Sequence, residues 1–398
     1  MPFTSAHTVV DVYPEAVCQN WKRVSSFISS PPSAWPGAMA VVKADAYGHG
    51  LLPVSRALLK AGAAAFAVGD VAEGVKLARA LDRRDIKIVP LLGPHSIQEA
   101  DRCLAFGLVP FIHRAGQAAM LAARAREAGI ASPVPLVIKM DTGLCRLGFR
   151  EAALVPLIEE LRATPELRPS LLLSHYATAD MPEARDTTED QVQLFLRFLA
   201  AFRIHWPDMA ASIANSAGFM NAPPALFREL GANVIRPGIN LYGGNPFTGT
   251  LLEEKGSGYM QAMEVRSPVL EVKEIPAGAK VSYGHTFTAP RPMRIAVLGT
   301  GYADGLSRGL SGTGAVVIHG KRAPRLGRIC MQMHMADVSH IPECAAGDSA
   351  YILGGPGDGI DAHELAGWWG TIPYEVFCIL GKKSRVVHKG LPNAGKAF

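Results

Sequence analysis

The chain has 398 residues, 48% of them hydrophobic and 19% charged, enough to bury a large core and to divide into two domains. Its formal charge of +5 is small for that length, and no block of lysine and arginine alternates with aromatics, which argues against nucleic acid as a partner. No apolar run approaches the roughly 20 residues of a membrane helix. Asp11, Glu15, Lys22 and Arg23 break up the segment where a secretory signal would stand, and the six cysteines show no paired spacing for zinc or redox work. The expectation is a cytoplasmic protein with reduced thiols, no bound metal and no membrane association.

Over the first 240 residues, short apolar runs alternate with segments of helical period. The runs are 38–42, 65–68, 86–92, 108–112, 136–138, 171–173, 211–213 and 233–235, eight in all. Between them, Val192, Leu194, Phe195, Phe198, Leu199 and Phe202 share one helical face, and residues 117–128 are rich in alanine with spaced arginines. Eight strand-helix repeats match a (β/α)8 barrel, an α/β fold whose strands are buried on both faces and so read as unbroken apolar runs. A doubly wound open sheet is the alternative. Residues 245–259 carry glycines, a proline and charges with little periodicity and read as a linker or long loop. Beyond it, short apolar runs at 269–275, 295–298, 315–318 and 351–353 are separated by Pro-Ala-Gly, Ala-Asp-Gly and Gly-Gly-Pro-Gly-Asp-Gly turns, so a mainly β C-terminal domain is expected. The domains are placed at 1–250 and 251–398.

In a barrel, chemistry gathers at the C-terminal ends of the strands. The residues just past these runs are Lys43 after the first, Lys139 after the fifth, Ser174 and His175 after the sixth, Asn215 and Ser216 after the seventh, and Arg236 after the eighth. Lys43 is the most informative. A lysine with a hydrophobic approach and few charged neighbours loses its proton more readily, and a neutral amine can form a Schiff base with a carbonyl. The structural alternative is a surface lysine leaving a buried strand.

The segment Ala40-Val41-Val42-Lys43-Ala44-Asp45-Ala46-Tyr47-Gly48-His49-Gly50 closely resembles the cofactor-lysine motif of alanine racemases, and separated motifs in the same order extend the resemblance from Val10 to about Arg385. It implies pyridoxal 5'-phosphate as cofactor and a small amino acid as substrate. Lys43 would hold the cofactor and move a proton at Cα. The resemblance places Tyr47 and Tyr374 at the phosphate, with Asn215, Ser216, Gly238 and Ile239 in the phosphate-binding segments. It places Arg236 against the pyridine nitrogen, His175 beside the ring and linked to Arg236, and Arg146 at the phenolic oxygen and the substrate carboxylate. Lys139 matches a lysine that is carbamylated in several relatives. In the second domain, Tyr283 matches a second catalytic base that relatives contribute from the partner subunit, which implies a homodimer with shared sites. Tyr302 matches a tyrosine guarding substrate access, and Met331 a residue whose N–H meets the substrate carboxylate. Many relatives have aspartate after that methionine, whereas this chain has Gln332, which keeps hydrogen bonding but loses charge. The leading expectation is two-base racemisation of alanine, supplying D-alanine for cell-wall synthesis, with serine and other small amino acids open as substrates. A decarboxylase of the same architecture would place an acid where Arg236 stands, and a non-catalytic pyridoxal phosphate carrier would lack the second domain.

Overall fold

Apolar runs without polar interruption are stable as strands only when covered on both faces, and the first half of the chain uses them that way. The computed structural model describes residues 7–28, 34–83 and 85–390. After β1 (Val9–Val12), which joins the other half of the molecule, β2 (Ala40–Val41), β3 (Ala65–Val68) and β4 (Lys87–Pro90) pair in parallel, as do β5 (Phe111–Ile112), β6 (Val134–Lys139), β7 (Leu167–Leu173) and β8 (Ala210–Ser212). The two sets meet where Val109 N–H donates to Ile88 O at 2.8 Å. The run at 233–235 forms no ladder of its own. Bridges from Ala211 to Asn233 and from Ile235 to Ala38 carry the pairing back to the edge of β2. The run expected over 108–112 shortens to two strand residues because Pro110 has no N–H to give.

Amphipathic helices cover these strands. Arg185–Arg203 buries Phe195, Phe198, Leu199 and Phe202 along one stripe, each contributing about 1.5–3 kcal/mol relative to exposure. Asp70 and Ser96 cap the helices Val71–Leu81 and Ile97–Ala105 by accepting from Glu73 N–H and Glu99 N–H. This half is therefore α/β.

The second half is rich in β structure. Its organising strand, β9 (Met263–Ile275), pairs with β1 and β16 (Ser349–Leu353) over its first half and with β12 (Met293–Leu298) over its second. A small hairpin, β10 (Lys280–Val281) and β11 (Phe287–Thr288), precedes β12; β13 (Ala315–Ile318), β14 (Lys321–Leu326) and β15 (His334–Asp337) complete the sheet, with β17 (Arg385–His388) at its edge beside β1. That β1 belongs here differs from the expected division at residue 250. Its buried Asp11 accounts for the placement, bridging Arg266 at 2.7 Å and Lys389 at 2.8 Å, while Tyr13 donates to Glu264 at 2.6 Å. Two helices, Ala362–Trp369 and Pro373–Lys383, also fall in this half. The second returns to the first half so closely that a Cβ on Gly381 would stand 2.1 Å from Gly48 O. Among the described residues, no helix is long and apolar enough to cross a membrane.

Candidate active site

The strand ends of the α/β half surround a cavity of about 380 Å³, and Lys43 enters it from a strained turn. Ala44, Asp45, Ala46 and Tyr47 all hold φ of 54–56°, the left-handed region, although none is glycine. Each such residue costs about 1–2 kcal/mol, so neighbouring contacts must hold the turn. Ala46 N–H donates to Val42 O, and the Glu73 carboxylate accepts from Asp45 N–H and Gly69 N–H, all at 2.8 Å. Asp45 Oδ1 accepts from Leu51 N–H at 2.9 Å. The Tyr47 ring stacks on Tyr242 at 4.7 Å, and His49 Nδ1 lies 3.1 and 3.0 Å from Ala46 O and Tyr47 O. Burial above all, then the charge of Arg146, pulls the Lys43 amine below its usual range, with Arg236 adding to the effect and Cys378 and Glu73 opposing it.

One end of the cavity is built from small groups and hydroxyls. Ser216 Oγ accepts from Gly238 N–H at 3.0 Å and donates to Asn240 at 2.9 Å, while Asn215 caps the short helix Ser216–Asn221 through Gly218 N–H at 2.9 Å. Gly238 is required by close approach: a Cβ there would stand 2.8 Å from Tyr47 Oη. Ile239 and Tyr374 line the same wall, with the Tyr374 ring 6.0 Å from that of Tyr47.

At the centre lies Arg236, buried and satisfied by neutral acceptors. Its guanidinium donates to Ser212 Oγ, to Ser174 O at 2.7 Å and to Ile213 O at 3.2 Å, and Nη2 lies 3.0 Å from His175 Nδ1. A guanidinium has no acceptor, so the imidazole accepts at Nδ1 and, as a neutral ring, carries its proton on Nε2. Burial first, then Arg236, holds His175 neutral, its pKa well below the usual histidine range. Lys139 is buried beside it, and burial with the charge of Arg236 pushes its amine far down as well. Burial lowers Arg236 itself only to about 9, so it stays protonated at neutral pH.

The structure thus brings Lys43, Tyr47, Lys139, Arg146, His175, Asn215, Ser216, Arg236, Gly238, Ile239 and Tyr374 into one cavity. Four of these are lysine or arginine, and none of the described lining residues is acidic. Such a wall, with its hydroxyls and a Gly238 kept free of a side chain, fits a phosphorylated cofactor and a carboxylate. Tyr283, Tyr302 and Met331 are not in the lining; they are exposed on loops of the second half, Tyr283 at 71%. These loops are tied to each other. Tyr302 N–H donates to Cys330 O at 3.1 Å, Ala303 N–H to Met331 O at 2.9 Å, and Ser282 Oγ to Arg328 O at 2.6 Å. Gln332 is exposed between Met331 and Met333.

Sequence reasoning missed several lining residues. Leu91, Phe111 and Leu173 sit at or beside strand ends, where the same positional logic finds them, and Cys378 follows Tyr374 by one helical turn. Glu73 was legible only as a capping residue three positions after Asp70.

A family model for the alanine racemase N-terminal domain matches residues 12–246, and one for the alanine racemase C-terminal domain matches residues 262–388. An alanine racemase of Nitratidesulfovibrio vulgaris strain Miyazaki F is 50% identical over 354 residues, spanning 88% of this chain and 91% of that protein. Among solved structures, the biosynthetic alanine racemase from Pseudomonas aeruginosa is 32% identical with a TM-score of 0.82, over 97% of this chain and 100% of that one. The alanine racemase from Bartonella henselae with covalently bound pyridoxal phosphate is 26% identical, with the same TM-score and coverage.

Proposed function

The chain belongs to the alanine racemase family and interconverts L- and D-alanine with pyridoxal phosphate, and from that premise we propose how its own residues divide the work. The observation that carries the assignment is the cavity wall of Lys43, Lys139, Arg146 and Arg236 with no carboxylate among the described lining residues. Bound there, the cofactor supplies an electron sink that acidifies the substrate Cα proton. Lys43 would hold the cofactor, and its amine, pulled below its usual range by burial and by Arg146, loses its proton more readily and so is suited to take or return that proton on one face. Tyr47, Tyr374 and Ser216, with Asn215 and the backbone at Gly238 and Ile239, hold the phosphate. Arg236, having no acceptor, would hold the ring nitrogen in its unprotonated form, while His175 is steadied by Arg236. Arg146 and the N–H of the partner's Met331 would bind the substrate carboxylate, and the partner's Tyr302 would guard access.

The opposite face requires a second proton carrier, which we assign to the partner subunit's Tyr283. The exposure of Tyr283, Tyr302 and Met331 on one set of linked loops supports a homodimer in which each site joins the cavity of one chain to the loops of the other. We further assign residues 1–250 to a closed (β/α)8 barrel and 251–398 to the mainly β domain, with β1 lent across. The parallel pairings and the two bridges that return to β2 support the closure. The enzyme works in the cytoplasm, and its D-alanine serves cell-wall synthesis. Lys139, whose amine burial and Arg236 push far below its usual range, adds to carbon dioxide and loses a proton, giving a carbamate anion that steadies Arg146. A carbonyl resonance after labelled bicarbonate, lost in Lys139→Ala, is expected; its absence in the unaltered enzyme overturns that modification.

Mixing two inactive variants tests the shared site. Lys43→Ala and Tyr283→Phe chains, unfolded and reassembled together, form heterodimers with one intact site, so activity should return to about one quarter of the native level. No recovery despite demonstrated heterodimers means that both bases come from the same chain.

A further inference from the structure

Glu73 has no part in these roles, yet its carboxylate grips the turn that carries Lys43. Its local context is that of a capping box: Asp70 Oδ1 accepts from Glu73 N–H at 2.8 Å, and a glutamate at this position ordinarily reaches back to the N–H of the capping residue itself. Here it reaches elsewhere. Oε2 accepts from Gly69 N–H and Oε1 from Asp45 N–H, both at 2.8 Å. A helix cap has no use for Asp45, which lies 28 residues earlier on a different element. Space at the junction is tight as well, since a Cβ on Gly69 would stand 3.0 Å from Glu73 Oε2 and 3.8 Å from Lys43 Cβ. The N–H being held lies inside the left-handed turn, two residues after Lys43, where φ values that side chains avoid need an outside restraint.

We propose that Glu73 is a positioning residue for Lys43, locking the left-handed turn at Asp45 to the end of β3 at Gly69 and so fixing where the lysine enters the cofactor cavity. This rests on the assignment of Lys43 as the cofactor lysine. The charge acts alongside the geometry, because Glu73 raises the Lys43 pKa against burial and the two arginines. Glutamine at 73 would keep one acceptor and turn the other oxygen into a donor facing an N–H. Aspartate would keep the charge but is too short to span both contacts.

Hydrogen exchange in the full-length holoenzyme tests the lock. In E73Q the Asp45 amide should exchange at least about tenfold faster than in the native enzyme, and in E73D it should also be faster. The pH profile of racemisation should shift its Lys43-dependent limb to lower pH in E73Q, which simple loss of a helix cap would not do. Faster exchange confined to the first turn of Val71–Leu81, with Asp45 unchanged, overturns the proposal and leaves Glu73 a cap. If E73A does not fold, E73Q and E73D carry the measurement. Borohydride reduction of the native holoenzyme with peptide mapping separates the two assignments. Cofactor found on another lysine defeats the role of Lys43, whereas cofactor on Lys43 with unchanged Asp45 exchange defeats the role of Glu73 alone.

Discussion

Arg236 is 4% exposed and donates to Ser174, Ser212, Ile213 and His175 within its own half of the chain, whereas Tyr283 is 71% exposed on a loop held only to neighbouring loops. The first is a buried polar network with its hydrogen bonds met. The lining as a whole holds lysines and arginines with no described acid, so the cavity around this network is suited to an anionic ligand. The second is pre-shaped but uncovered. The linked loops carry Tyr283, Tyr302 and Met331 together and leave apolar surface exposed at Met331, Met333 and Tyr302. The contrast separates a cavity whose polar groups are satisfied within one chain from loops whose side chains that chain leaves exposed.

Removing Lys43 attacks the complete half. Lys43→Ala should lower racemisation by about 10⁴-fold and abolish borohydride-trapped cofactor; a retained adduct would mean that another lysine holds the cofactor. Tyr283→Phe attacks the uncovered half. A loss of about 10³-fold is expected, heavier for abstraction from L-alanine than from D-alanine and visible as unequal isotope effects in the two directions. Equal losses would remove the two-face assignment.

Acid should separate the two halves by stability. Burial lowers His49 to about 4 and His334 to about 3, one histidine in each half. Both are neutral when folded and protonate more readily when unfolded, with a pKa of about 6.5. Their contribution is therefore complete above that pH and is lost as pH falls toward 4, by about 3 kcal/mol for His49 alone. Urea midpoints should fall between pH 7 and pH 4.5, and His49→Gln or His334→Gln should flatten the fall for its own half. An unchanged slope in both variants would assign the acid sensitivity elsewhere. Arg236→Lys should have the smallest effect, about 2 kcal/mol of stability, because an ammonium cannot reach all the acceptors that the guanidinium fork meets. A thermal midpoint equal to that of the native enzyme would show that the network is looser than its geometry.

The unbroken run at 38–42 and its terminal lysine were plain in the sequence, as were the strand ends that bring Lys139, His175, Ser216 and Arg236 to one cavity. The helix Pro373–Lys383 was not, nor its insertion of Cys378 beside Tyr374, a residue that only the family resemblance had placed at the phosphate. That placement depends on the Gly48–Gly381 approach between residues far apart in the chain. The strand β1 was equally hidden, because its partners, β9 and β17, lie hundreds of residues away.

Period and composition determined the alternating α/β half, the β-rich half and Lys43 at the end of the first apolar run, since burial on two faces or on one stripe imposes a repeat that residues must obey locally. Only the tertiary structure decided the left-handed turn at Ala44–Tyr47, the diversion of Glu73 from its cap and the exposure of Tyr283. Apart from Asp45, whose short polar side chain tolerates it, nothing in Ala-Asp-Ala-Tyr favours positive φ. Such a conformation exists only because distant groups, the Glu73 carboxylate and the Tyr242 ring among them, supply contacts that offset its local cost.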